Sequence, residues 1–135
     1  MAKIQVIIPI TLNGFLPDEN EKLMEWLRTD RNGFPYWENR AVFNMYPYYG
    51  MLDLMDAKER HGNDCTYFMK VENQKSADYA SGIFLYKLAD EVVIYLLPIS
   101  YKSGINITGR IQFGQWVLHE SKTFRNNVCR LIYRL

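Results

Sequence analysis

Two hydrophobic spacings alternate along the chain. Lys3 to Thr11 is a near-continuous apolar run rich in β-branched residues, with Ile4, Val6, Ile7, Ile8 and Ile10. Such a run predicts a strand buried on both faces. Glu21 to Thr29 instead places Leu23, Trp26 and Leu27 on one helical stripe, behind the acidic residues Asp18, Glu19 and Glu21. Negative charge at that position favours a helix start. "DRNGFPYW" then reads as a break. A short strand is expected in Arg40 to Met45, a helix over Met51 to Arg60, a strand over Cys65 to Val71 and a helix over Ser76 to Lys87. "DEVVIYLLPI" is a strand, and "SYKSGIN" is a loop.

The chain closes on "HESKTFRNNVCRLIYRL". Gln115 to Phe124 is polar on one parity and carries Trp116, Leu118 and Phe124 on the other. The next run sets Cys129, Leu131, Tyr133 and Leu135 against Val128, Arg130, Ile132 and Arg134. Period-2 patterning marks half-buried strands, and Asn126-Asn127 suits a tight turn because Asn tolerates positive φ. The pattern predicts a hairpin with Leu131 on its inward face. Strands alternating with helices and ending in a hairpin imply an α/β fold.

The chain has 135 residues, a length suited to one domain with a real core. A net charge of +1 gives no bulk pull toward nucleic acid or anionic membrane. No apolar run approaches the ~20 residues of a membrane span. The first residues lead directly into a strand pattern, so a cytoplasmic protein is expected. Cys65 and Cys129 are the two cysteines, too few for a disulfide framework.

Several residues could carry chemistry, each with a plainer alternative. Asn13-Gly14 is a good turn in its own right. Trp26 could line a pocket or fill a core stripe. Asp30, just past the first helix, could donate a proton if buried, though solvated loop carboxylates are commoner. "FPYWENRAVFNMYPYYG" combines seven aromatics with Arg40. It could be a ring-binding platform, a subunit interface or core filler. His61 and Cys65 stand four residues apart, with His119 and Cys129 elsewhere. Without tighter ligand spacing no metal site is expected.

Three stretches resemble the dihydrofolate reductase-like family. Thr11-Leu12-Asn13-Gly14-Phe15-Leu16-Pro17, followed by Trp26-Leu27, is similar to the family's opening S-L-D-G-x-I-A and W-L. "LADEVVIYLLPISYKSGINI" resembles its V-D-E-L-x-L-x-x-x-P-x-x-x-G-x-G segment. "HESKTFRNNVCRLIYRL" resembles its closing S-x-T-F-x-N-G-V-x-x-L-x-Y. The branch most resembled is the reductase domain of the bifunctional riboflavin-pathway deaminase–reductase. The resemblance implies one domain over residues 1–135: a dihydrofolate reductase-like mixed sheet flanked by helices, shortened, with a C-terminal antiparallel hairpin. It implies an NADPH-dependent reductase of a pterin- or pyrimidine-type substrate. Pro9, Thr11, Asn13, Gly14 and Leu16 would face the cofactor, and Trp26, Asp30 and Tyr46 the substrate. It also implies a homodimer paired through the C-terminal sheet.

The middle departs from the family. Relatives carry G-R-x-T-Y where this chain has Asn44-Met45-Tyr46. They carry a G-G-G turn, the usual pyrophosphate seat, where this chain has Lys70-Val71-Glu72-Asn73. The alternative implied is a family descendant with an impaired NADPH site that binds a small planar heterocycle or a partner protein.

Overall fold

β1 (Lys3–Thr11) holds the centre of the molecule. Ile4, Val6, Ile7 and Ile8 are fully buried, and their side chains alternate between two separate cores. The computed structural model describes residues 2–41, 43–45, 50–60, 62 and 65–135. Among these, β1 pairs in parallel with β3 (Thr66–Lys70) and with β4 (Glu91–Leu97). β2 (Phe43–Asn44) extends the parallel set beyond β3. β6 (Cys129–Arg134) runs antiparallel to β4, and β5 (Val117–Thr123) antiparallel to β6. The sheet order is β2-β3-β1-β4-β6-β5. This is the mixed sheet with a C-terminal hairpin that the sequence implies.

Helices cover both faces. On one side lie α3 (Met51–Arg60) and α4 (Gln74–Leu85), whose Leu54, Ala77, Ala80 and Ile83 pack with Ile4, Val6, Ile8 and Met69. On the other lie α1 (Lys22–Thr29) and α2 (Phe34–Glu38), whose Met24, Leu27, Phe34 and Trp37 pack with Ile7, Phe68, Val93 and Tyr95. A one-turn helix, α5 (Ile107–Arg110), follows β4. The expected break at Asp30–Trp37 is instead a tight turn into α2. Gly33 makes it possible: a Cβ there would lie 2.2 Å from the Leu27 carbonyl oxygen.

The hairpin departs from the pattern in two ways. In β6 the buried residues are Arg130 and Ile132, in line with the buried Val128 just before the strand, while Leu131 is half-buried. Helices α1 and α2 cover that first set, and α3 and α4 sit over β1 and β3 instead. Both parities of this strand carry apolar residues, and the inward one includes an arginine, which made Leu131 the apparent inward choice. In β5 an irregularity between Leu118 and Glu120 inserts His119. Such a bulge switches the face of everything after it. Trp116 therefore packs with Phe84 in the α4 core, whereas Phe124 packs with Trp26 in the other. The turn itself is as expected, with Asn127 at φ 70°.

One buried ionic group ties together three neighbouring interior strands, β1, β4 and β6. Glu91 is 1% exposed and accepts hydrogen bonds from Gln5 Nε2 (2.7 Å) and Arg134 Nε (2.8 Å), with Lys3 Nζ at 3.0 Å. Burial alone would raise its pKa, but Arg134, Lys3 and Gln5 outweigh it and hold the carboxyl below its ordinary value. A carboxylate depressed in the folded state stabilises the fold above its unfolded pKa, about 4.3 for Glu, and loses that contribution as pH falls through the folded value. Urea midpoints should therefore drop on acidification below about pH 4, and Glu91→Gln should flatten that part of the profile. The same variant should cost about 1–2 kcal/mol at pH 7, moderated because Lys3 and Arg134 stay half-exposed.

Candidate functional site

Ligands in open parallel α/β sheets bind beyond the carboxyl ends of the strands. Here that edge has two parts. The first lies beyond β1 and β4. Gly14 closes the turn after β1 at φ +90°, and a Cβ on it would meet Thr108 Oγ1 at 2.8 Å. The loop is zipped to the segment after β4: the amides of Leu12, Leu16 and Ile107 donate to the carbonyls of Ile99, Ile105 and Gly14, each at 2.8 Å. Thr11 Oγ1 donates to Asn13 Oδ1 (2.9 Å) and accepts from the Phe15 amide (3.0 Å). Asn13 Nδ2 donates to the Tyr101 carbonyl, and the Tyr101 amide donates back to Asn13 Oδ1. The Thr11 and Asn13 side chains thus brace two loops against each other.

The other residues expected here serve packing or capping. Pro9 is buried in β1 opposite Tyr95, and Leu16 is buried in the α3–α4 core. Trp26 is half-buried, edge-on to Tyr95 at 6.5 Å and tilted over Phe124 at 5.3 Å. Asp30 ends α1, and its Oδ1 accepts from the Asn32 amide at 2.9 Å. Tyr46 and His61 lie outside the described residues. Trp26 and Asp30 belong to the α1 side of the sheet, and the Thr11–Gly14 brace to the loop edge.

The second part, beyond β2 and β3, is open. A cavity of about 360 Å³ is lined by Glu38, Asn44, Met45, Phe68, Lys70, Glu72, Asn73 and Ser76. β2 and β3 supply its floor, α2 supplies Glu38, and the turn into α4 supplies the rest. Lys70 Nζ lies 2.9 Å from Glu38 and 3.1 Å from Glu72, one ammonium between two carboxylates. Burial pulls the Lys70 pKa down, but the hydrogen bonds and charges of Glu38 and Glu72 prevail and hold it above its ordinary value.

Three amides of the turn into α4 already have side-chain acceptors. Asn73 caps the helix, its Oδ1 accepting from the Ser76 amide at 2.9 Å. Ser76 Oγ, in return, accepts from the amides of Glu72 (2.9 Å) and Asn73 (3.0 Å). This is a reciprocal capping box. A phosphate seated at a helix N-terminus needs such amides free and a positive field. This turn gives three of them to side chains and sets Glu72 beside them, so it does not fit a pyrophosphate. Asn73 with Ser76 three positions on is a capping signal readable in the sequence. Glu38 was reachable only through the fold, because α2 carries it to Lys70.

Neither a family model nor a curated protein matches the sequence. Solved structures do match in shape. A Shewanella sp. PV-4 protein provisionally ascribed to riboflavin biosynthesis aligns over 98% of both chains, at a TM-score of 0.70 and 15% identity. The chain has the dihydrofolate reductase-like fold. Dihydrofolate reductase from Enterococcus faecalis, solved with NADP(H), aligns over 98% of this chain and 95% of its own at a TM-score of 0.54 and 10% identity. RibD from Acinetobacter baumannii aligns over 99% of this chain and 58% of its own, at a TM-score of 0.59 and 10% identity. Full-length alignment with the Shewanella protein shows that a fold this short is shared.

Ser76→Ala removes the hydroxyl half of the capping box, which accepts from the Glu72 and Asn73 amides, and leaves the bond from the residue-76 amide to Asn73 Oδ1 in place. It should lower stability by about 1 kcal/mol or more, the usual worth of a helix cap with its buried amides. Equilibrium urea unfolding reads this directly. A loss below a few tenths of a kcal/mol would mean that water replaces the hydroxyl without penalty.

Proposed function

We propose that this protein uses a dihydrofolate reductase-like scaffold to bind a small, flat, hydrogen-bonding heterocycle at the Lys70 cavity, and that it holds NADPH weakly. The observation that carries the reading is the capping box at α4, where Ser76 Oγ and Asn73 Oδ1 occupy amides that a pyrophosphate would need. The formal charge of Glu38, Lys70 and Glu72 together is negative, which repels phosphate further. A ring bearing amino or ring N–H donors suits the same carboxylates and the Asn44 and Asn73 side chains. Losing two or three charge-assisted phosphate contacts weakens binding by about 1.5–3 kcal/mol each, with a factor of ten for every 1.4.

The likeness to a reductase solved with NADP(H) supports a second reading, an NADPH-dependent reductase of a pterin- or pyrimidine-type substrate. Tryptophan fluorescence separates the two. Under the first reading a pterin gives a saturable signal while NADPH reaches saturation only in the high micromolar range or above. Low-micromolar NADPH binding, or steady NADPH oxidation with any pterin or pyrimidine, establishes the second.

We also propose that a second copy of the chain packs on the hairpin. β5 is exposed along its whole length, with Val117 at 65% and Leu118 at 50%, and Leu131 and Tyr133 beside it are half-buried. Apolar side chains gathered on an edge strand favour association. Sedimentation at micromolar concentration should show twice the 16.0 kDa chain mass. A monomer alone contradicts the proposal.

A further inference from the structure

Arg130 is a buried charge with weak anionic compensation among the described residues. Its guanidinium is 4% exposed, enclosed by the rings of Tyr36 at 4.9 Å, Trp37 at 5.6 Å and Phe124 at 5.7 Å. Its Nε has no hydrogen-bond partner. Its one carboxylate contact among the described residues is Glu120, at a long 3.4 Å from Nη2, and Glu120 is half-exposed on the edge strand β5. A buried cation ordinarily has close, well-formed anionic partners, because desolvation is otherwise uncompensated.

The surroundings add positive charge. Lys122 is the cross-strand neighbour of Arg130 in the β5–β6 register, and its Nζ lies 5.5 Å from the Phe124 ring. Arg40 stacks on Tyr36 at 3.6 Å. Three cations therefore gather round these rings, with Glu120 the one carboxylate in ion-pair range among the described residues. Trp26, Tyr36 and Phe124 are each half-buried. Beneath them the Tyr95 hydroxyl is fixed: it accepts from Trp37 Nε1 (2.9 Å) and donates to the Asn32 carbonyl (2.6 Å). The platform is therefore rigid.

We propose that the Arg130 cluster is a binding site for a small aromatic anion, an aryl or heteroaryl phosphate or carboxylate. The ligand's ring lies against Phe124 and takes the place of the exposed Arg40 guanidinium on Tyr36. Its anionic group pairs with Lys122 and Arg130, displacing Glu120, whose weak, half-exposed contact is the most readily exchanged. None of these residues lines the Lys70 cavity, so the site stands independently of the heterocycle proposed there.

The test follows the Arg130 Nε–H resonance by NMR while phenyl phosphate, benzoate, phenol and inorganic phosphate are titrated into the intact protein. Phenyl phosphate should shift that resonance saturably in the millimolar range or tighter. Inorganic phosphate should bind more weakly for want of a ring, and phenol for want of charge. Glu120→Gln removes the competing carboxylate at an exposed position and should tighten phenyl phosphate about tenfold. Lys122→Gln should loosen it severalfold, and Lys70→Gln should leave it unchanged. Saturation by benzoate as well as phenyl phosphate marks the site as one for aryl anions in general; saturation by phenyl phosphate alone restricts it to phosphates. The proposal is overturned if phenyl phosphate leaves the resonance unmoved in both the parent and Glu120→Gln, or if phenol matches it.

Discussion

The burial of β1 on both faces is the constraint on which the rest of the molecule depends. Its alternating side chains divide into two cores, one beneath α3 and α4 and one beneath α1 and α2. A strand that is apolar in both directions is stable only with strands on each side and helices above and below. Parallel pairing with β3 and β4 supplies the strands. It also brings the carboxyl ends of β1, β2, β3 and β4 to one edge, where loops and helix starts meet. The chemistry at that edge is thus a consequence of the core, and Glu91, bound to Gln5 of β1 and Arg134 of β6, locks the same arrangement from below.

At the loop edge, backbone amides are limited in number and each serves one acceptor at a time. The turn into α4 spends them on itself: Ser76 Oγ takes two and Asn73 Oδ1 a third. A glycine turn in the same place would leave them for a ligand. The exchange strengthens the helix start and withdraws three amides from any ligand at that turn. Glu38 and Glu72 around Lys70 then set the sign of the field in the remaining cavity. The result is a dihydrofolate reductase-like fold whose Lys70 cavity sets two carboxylates against one ammonium.

Much of this was legible in the sequence where one periodicity dominated. The β-branched run of β1 and the apolar run of β4 left a single interpretation, and the Asn126-Asn127 turn announced the hairpin. The misreadings have specific causes. "GFPYW" reads as a breaker, yet Pro35 is tolerated in the first turn of α2, and packing of Phe34 and Trp37 stabilises a helix too short to stand alone. β2 is two residues long and exists through pairing with β3. In β6, polarity pointed the wrong way because the inward face carries Arg130, whose guanidinium is held by aromatic rings. In β5, a one-residue bulge reversed the parity of Phe124. At the site, the sequence reading began the helix at Ser76 and passed over the Asn73–Ser76 capping pair, and the approach of Glu38 to Lys70 came only with the tertiary fold.

The central claim is that the α4 turn is closed to phosphate. It is tested most directly by amide NMR of the Glu72, Asn73 and Ser76 backbone during addition of NADPH. The account predicts that these three resonances stay in place through the low micromolar range, while a pterin moves the signals of residues lining the Lys70 cavity. Saturable shifts of all three amides at low micromolar NADPH would contradict it and place the pyrophosphate where the capping box now stands.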